Sequence, residues 1–200
     1  MRRAFLKMTL SLAIFGLASP VLAQTAPTAI SFFNSGVRKY RAGDLKGAVA
    51  DLSTAIEMNP EYWKAYTSRG VAKRDLGDLD GAIRDHSRSI EINPKNAGAY
   101  SSRGTVLRDK KDLSGALADY ATALSLDPKD FYTYNNRGAV RADRKDNDGA
   151  IADFSQAIAL SPNYAEAYFN RSVVKRRKGD VAGADADRKR AVELDPRFAK

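Results

Sequence analysis

The chain has 200 residues, no cysteine, one histidine, and an excess of Lys and Arg over Asp and Glu that gives +9 at pH 7. The lack of cysteine excludes disulfides, thiol catalysis, thiolate metal sites and lipid attachment through an N-terminal cysteine. With His86 alone, no glycine-rich phosphate loop and no carboxylate pair outside a repeating pattern, the sequence predicts neither an enzyme nor a metal or cofactor site.

The chain opens on Arg2, Arg3 and Lys7, runs through an apolar stretch from Met8 to Ala18, and reaches Val21-Leu22-Ala23 before Gln24. The apolar stretch is shorter than the roughly 20 residues that cross a bilayer. Small residues at Val21 and Ala23 suit cleavage before Gln24. Residues 1–23 are therefore expected to be a signal peptide, with 24–28 as a short linker, and the mature protein to be periplasmic or secreted from a Gram-negative cell. Arg2-Arg3-Ala4-Phe5-Leu6-Lys7 also fits the core of a twin-arginine signal, so the general secretory and twin-arginine routes both stand. Loss of three cations on cleavage lowers the charge from +9 to +6.

From residue 29 the sequence repeats. Pro60, Pro94, Pro128, Pro162 and Pro196 are spaced by 34 residues without drift. With proline at place 32, five units run 29–62, 63–96, 97–130, 131–164 and 165–198, leaving a tail of 199–200. Place 4 is always aromatic, place 16 always aspartate and place 20 always alanine, while place 8 is Gly36, Gly70, Gly104 and Gly138, then Ser172. The pattern resembles a tetratricopeptide repeat array. The resemblance implies an all-α superhelical solenoid of helix-turn-helix units whose first helices line a concave face.

The residues support the same fold. Places 3, 4, 7, 8, 10, 11 and 14 form one helical stripe, and places 17, 20, 21, 24, 27 and 28 form another. Gly43-Asp44, Gly77-Asp78, Lys111-Asp112, Lys145-Asp146 and Gly179-Asp180 predict a left-handed turn followed by a helix N-cap. Asp185 and Arg188 replace the core-facing residues of places 21 and 24 in the fifth unit, which marks it as a polar end cap. His86 shares place 24 with Leu52, Tyr120 and Phe154 and is read as a core residue.

Place 23 holds Asp51, Asp85, Asp119, Asp153 and Asp187. Place 7 holds Arg69, Arg103, Arg137 and Arg171, but Ser35 in the first unit. Pairing within each unit would orphan Asp51 inside the stack, whereas pairing with the next unit would orphan only the terminal Asp187. The expected pairs are therefore Asp51 with Arg69, Asp85 with Arg103, Asp119 with Arg137, and Asp153 with Arg171.

Places 2, 5, 6, 9 and 13 are left free for recognition. Asn34, Ser68, Ser102, Asn136 and Asn170 at place 6 form a ladder of short polar groups, flanked by Thr67, Asn135 and Tyr132 and rimmed by Arg74 and Arg108. This ladder is expected to hold an extended peptide or an assembly partner. Gly98/Ser102, Tyr132/Asn136 and Glu166/Asn170 at places 2 and 6 lack the cations that C-terminal carboxylate capture needs. The alternative reading uses the basic run Lys175 to Lys178 of the fifth unit to hold anionic lipid or polysaccharide. Nucleic acid is not expected, because the run has no interleaved aromatics and the protein is exported. A second copy of the chain is a further candidate partner.

Overall fold

The computed structural model describes residues 27–199; the expected signal peptide, the expected Ala23/Gln24 cleavage site and the start of the expected linker lie outside the described residues. Ten α-helices form five hairpins: α1 (Ala29–Arg41) with α2 (Leu45–Met58), α3 (Trp63–Asp75) with α4 (Leu79–Ile92), α5 (Ala97–Asp109) with α6 (Leu113–Leu126), α7 (Phe131–Asp143) with α8 (Asn147–Leu160), and α9 (Ala165–Arg177) with α10 (Val181–Leu194). A 3₁₀ turn, Pro196–Ala199, follows. Each second helix also packs on the first helix of the next hairpin, so consecutive units share one continuous core. No described helix is long and apolar enough to cross a membrane.

Local chemistry writes the turns. Asp44, Asp78, Asp112, Asp146 and Asp180 cap the second helices, each accepting from the amide of a glycine three residues on, at 2.8–3.0 Å. The residue before each cap is left-handed: Gly43, Gly77 and Gly179 have φ of 82–85°, and Lys111 and Lys145 are forced to 66° and 64°. At the other end, Asn59, Asn93, Asp127 and Ser161 are extended ahead of the repeating proline. The proline ring disfavours a helical residue before it, and so ends the second helix.

Within each hairpin the side chain at place 24 seats on the glycine at place 8. A Cβ added to Gly36, Gly70, Gly104 or Gly138 would come within 2.7, 2.7, 3.0 and 2.8 Å of Leu52, His86, Tyr120 and Phe154 respectively. Those four are also the largest fully buried side chains of the protein. In the fifth unit Arg188 lies over Phe169, at 4.7 Å from the ring centroid, and a serine, Ser172, fits at place 8.

The ion pairs differ from the sequence expectation. Arg69 pairs with Asp85, Arg103 with Asp119, Arg137 with Asp153 and Arg171 with Asp187, all within one unit and all bidentate at 2.7–2.9 Å. The inter-unit pairs of Asp51 with Arg69, Asp85 with Arg103, Asp119 with Arg137 and Asp153 with Arg171 do not form. Asp51 is not orphaned, because Lys39 reaches it at 2.8 Å and Ser35 hydrogen-bonds to it; together they hold its carboxyl below the ordinary range. Lys73, Arg141 and Lys175, at the same place as Lys39, give Asp85, Asp153 and Asp187 a second cation, each at 2.8 Å. For Asp187, burial works to raise the carboxyl, and the bonds from Arg171 and Lys175 outweigh it.

The arginines do cross to the preceding unit, but to a neutral hydroxyl. Arg69, Arg103 and Arg171 donate to Ser53, Ser87 and Ser155 at 2.9–3.0 Å. The first unit has no predecessor to reach, and Ser35 suffices there. Tyr66, Tyr100, Tyr134 and Tyr168 cover the guanidinium groups at 5.5–5.8 Å.

Among the described residues Asp119 is held by Arg103 alone, since Leu107 stands where the other units carry the second cation. Arg103→Met should therefore cost about 3–5 kcal/mol by stranding a buried carboxylate. Arg69→Met and Arg171→Met should cost measurably less, a ranking that urea denaturation at neutral pH will check. Lys111→Gly and Lys145→Gly should each raise stability by about 0.5–1 kcal/mol by relieving the left-handed backbone, read as a higher Tm.

Candidate functional site

A row of hollows lies along the first helices, one at most junctions between units. The first, about 140 Å³, is lined by Val37, Tyr40, Leu52, Thr67, Ser68 and Val71. The next, about 200 Å³, is lined by Val71, Arg74, His86, Ser102 and Thr105. A third of about 200 Å³ between the fourth and fifth units includes Ala139, Phe154, Asn170, Val173 and Arg177. The recurring parts are a floor from place 24, walls from place 9 of both units, and a polar group from place 6. At the junction of units three and four Tyr120 takes up the space, its hydroxyl 3.1 Å from that of Thr105.

Ser68, Ser102 and Asn170, three members of the place 6 ladder, each line one of these hollows. Asn34 is exposed and Asn136 half-buried on the same stripe. The place 24 floor was missed, because a core residue at a hairpin joint also closes the bottom of the gap between neighbouring first helices.

Place 5 requires a correction. Asn135 is 1% exposed and fully used: its amide donates to Tyr164 and Glu166 and accepts from Asn170, so it ties units together and does not line the groove. Thr67 borders the first hollow, but its hydroxyl is spent on Ser89, Asn96 and the Trp63 carbonyl. Place 5 meets place 34 in units one, two, four and five, and the two match in chemistry, while in unit three Ser101 bonds Thr133, which in turn bonds Asp130. Phe33 meets Tyr62 and Phe169 stacks on Phe198, whereas Thr67 bonds Asn96 and Asn135 bonds Tyr164.

Along the inner rim, place 12 of one unit reaches place 13 of the next. The Tyr40 hydroxyl donates to Asp75 at 2.6 Å, and Arg74 donates to Asp109 at 2.7 Å. The Asp75 hydrogen bond, with burial, pushes the Tyr40 phenol up to about 12. Arg74 is therefore half committed to the scaffold, while Arg108 has no carboxylate partner among the described residues. Tyr132 is 57% exposed. No group of three His, Cys, Asp or Glu that could hold a metal occurs among the described residues.

His86 is fully buried with neither ring nitrogen hydrogen-bonded. Burial pushes its pKa down to about 4.

Residues 78–200 match the family model described as the ETO1 C-terminal domain, and residues 33–97 match the model described as tetratricopeptide repeat. The chain belongs to the tetratricopeptide repeat family, whose members serve as protein-interaction scaffolds. No curated protein matches the sequence. Among solved structures, MamA residues 41 to the end from Desulfovibrio magneticus RS-1 superposes with a TM-score of 0.74 at 21% identity, covering 84% of this chain and 95% of that one. YrrB, described as a TPR protein with an unusual peptide-binding site, gives 0.66 at 21% identity over 84% and 87%. Pseudomonas aeruginosa pilF gives 0.76 at 17% identity over 86% and 82%. At these identities the likeness is one of fold.

The unfolded chain protonates His86 near 6.5 and the folded chain only near 4. Its folded pKa is depressed, so the neutral form's stability is complete above about 6.5 and is lost as pH falls through that window. Comparison of the wild type with His86→Leu by denaturation at pH 7 and pH 4 should isolate this contribution. The wild type should lose up to about 3 kcal/mol more than the variant on acidification.

Proposed function

We propose that the protein is a periplasmic interaction scaffold, delivered by a cleaved signal peptide, that holds an extended segment of a partner along its inner face. The observation that carries this reading is the row of hollows, spaced by the repeat, each with an apolar floor and a short hydroxyl or amide at its wall. Repeated hydrogen-bonding groups beside apolar pits suit an extended backbone whose side chains alternate between pit and rim. YrrB, of the same fold, is described as a TPR protein with an unusual peptide-binding site, which supports peptide binding by this fold.

The alternative, anionic lipid or polysaccharide on the basic fifth unit, has less support. Lys175 pairs with Asp187, Arg176 with Asp185 and Lys178 with Asp148, so most of the basic run is already matched by carboxylates.

A photo-crosslinking residue at Ser68 or Ser102, with Ala50 or Ala118 on the outer helices as controls, tests the reading in intact cells. Adducts from the inner positions and none from the outer ones are expected, and adducts from the outer positions alone would overturn it. N-terminal sequencing of the same material should begin at Gln24.

A further inference from the structure

At the junction of the fourth and fifth units three aromatic rings converge. Phe131 and Tyr132 lie 4.0 Å apart between centroids, and Tyr164 meets them edge-on at 5.1 and 5.3 Å. Phe131 and Tyr164 are partly covered, but Tyr132 is 57% exposed. In the preceding unit the equivalent residue is Gly98, where an added Cβ would meet only the Asn96 amide oxygen at 3.5 Å.

Beside these rings stands a carboxylate fixed in place by the scaffold. Glu166 Oε1 accepts from buried Asn135 at 3.2 Å, and Oε2 accepts from the Tyr164 hydroxyl at 3.0 Å. Asn170 locks Asn135 in turn at 3.0 Å. Asp130 caps α7 on the other side of the trio, accepting from the amides of Tyr132 and Thr133. Neither carboxylate has a cationic partner among the described residues, whereas the buried carboxylates Asp85, Asp119, Asp153 and Asp187 are all matched. Burial, followed by the charge and the hydrogen bond of Glu166, pushes the Tyr164 phenol well up.

An exposed tyrosine ring, with a carboxylate held on the hydroxyl of the ring packed against it, has the two parts that recognise a cation: the ring quadrupole attracts charge over its face, and the carboxylate pairs with the donor. We propose that Tyr132, with Glu166, forms a subsite for a lysine or arginine side chain of the segment held along the inner face. The proposal rests on the groove reading, and charge complementarity decides its occupant: the rest of the inner face, with Arg74, Arg108 and Arg177, offers no comparable seat for a cation.

The probes are a Gly/Ser decapeptide with one central arginine, its citrulline counterpart, and N-acetyl-arginine amide, each titrated into the purified protein while backbone amide shifts are followed by NMR. Arginine should bind about three- to tenfold more tightly than citrulline, with shifts centred on Tyr132 and Glu166. Glu166→Gln can still accept from Asn135 through its oxygen while its amide nitrogen donates to the Tyr164 hydroxyl oxygen, and it should erase that preference; Tyr132→Leu should weaken the arginine peptide. Equal affinities for the two peptides, with shifts along Ser68 and Ser102, would overturn the cation subsite and leave the groove standing. A response at Tyr132 to N-acetyl-arginine amide, with none from either peptide along Ser68 and Ser102, would support the subsite and sink the groove. No response at Tyr132 to any arginine probe overturns the subsite.

Discussion

The close seating of one large side chain on one glycine sets the geometry of the first four hairpins. Leu52, His86, Tyr120 and Phe154 each rest where a Cβ on the opposing helix would intrude. The helices can then approach closely, and the side chain is buried on all sides. The same residue is the floor of the gap between that hairpin and the next, so the packing unit and the recognition surface share an atom set. A change at place 24 alters hairpin geometry and groove depth together.

Around this contact the polar groups are arranged so that burial leaves few of them alone. The guanidinium at place 7 satisfies a carboxylate within its own unit, lies against an aromatic ring, and uses its remaining nitrogen to reach a serine of the preceding unit. One side chain thereby holds a hairpin closed and ties it to its neighbour. His86 is the exception. It fits the apolar seat by shape while its ring nitrogens go without partners, which makes the second hairpin the acid-sensitive one.

The repeats vary most at the joints. Places 5 and 34 exchange aromatic pairs at the two ends for hydrogen-bonded pairs in the middle, each partner changing with the other. The polar version in the fourth unit orients Glu166 and holds it on the Tyr164 hydroxyl. Local identity along an otherwise uniform inner face thus arises from residues that serve the stacking of units.

The sequence alone determined the hairpins, their count and their turns. Helical periodicity, the aspartate cap and the pre-proline break act over a few residues and are copied five times. It also showed that place 7 and place 23 belong together, but not in which direction. Arg69 lies 16 residues before Asp85 and 18 after Asp51, and chain separation cannot rank two such similar distances when each helix has a neighbour on both sides. The choice fell to tertiary structure, because a guanidinium needs a carboxylate at about 2.8 Å in the right plane, which depends on how two helices rotate about each other. Asn135 and the place 24 floor were decided in the same way: whether a helical residue faces solvent, a groove or a neighbouring unit depends on the superhelical stacking, which no single repeat contains.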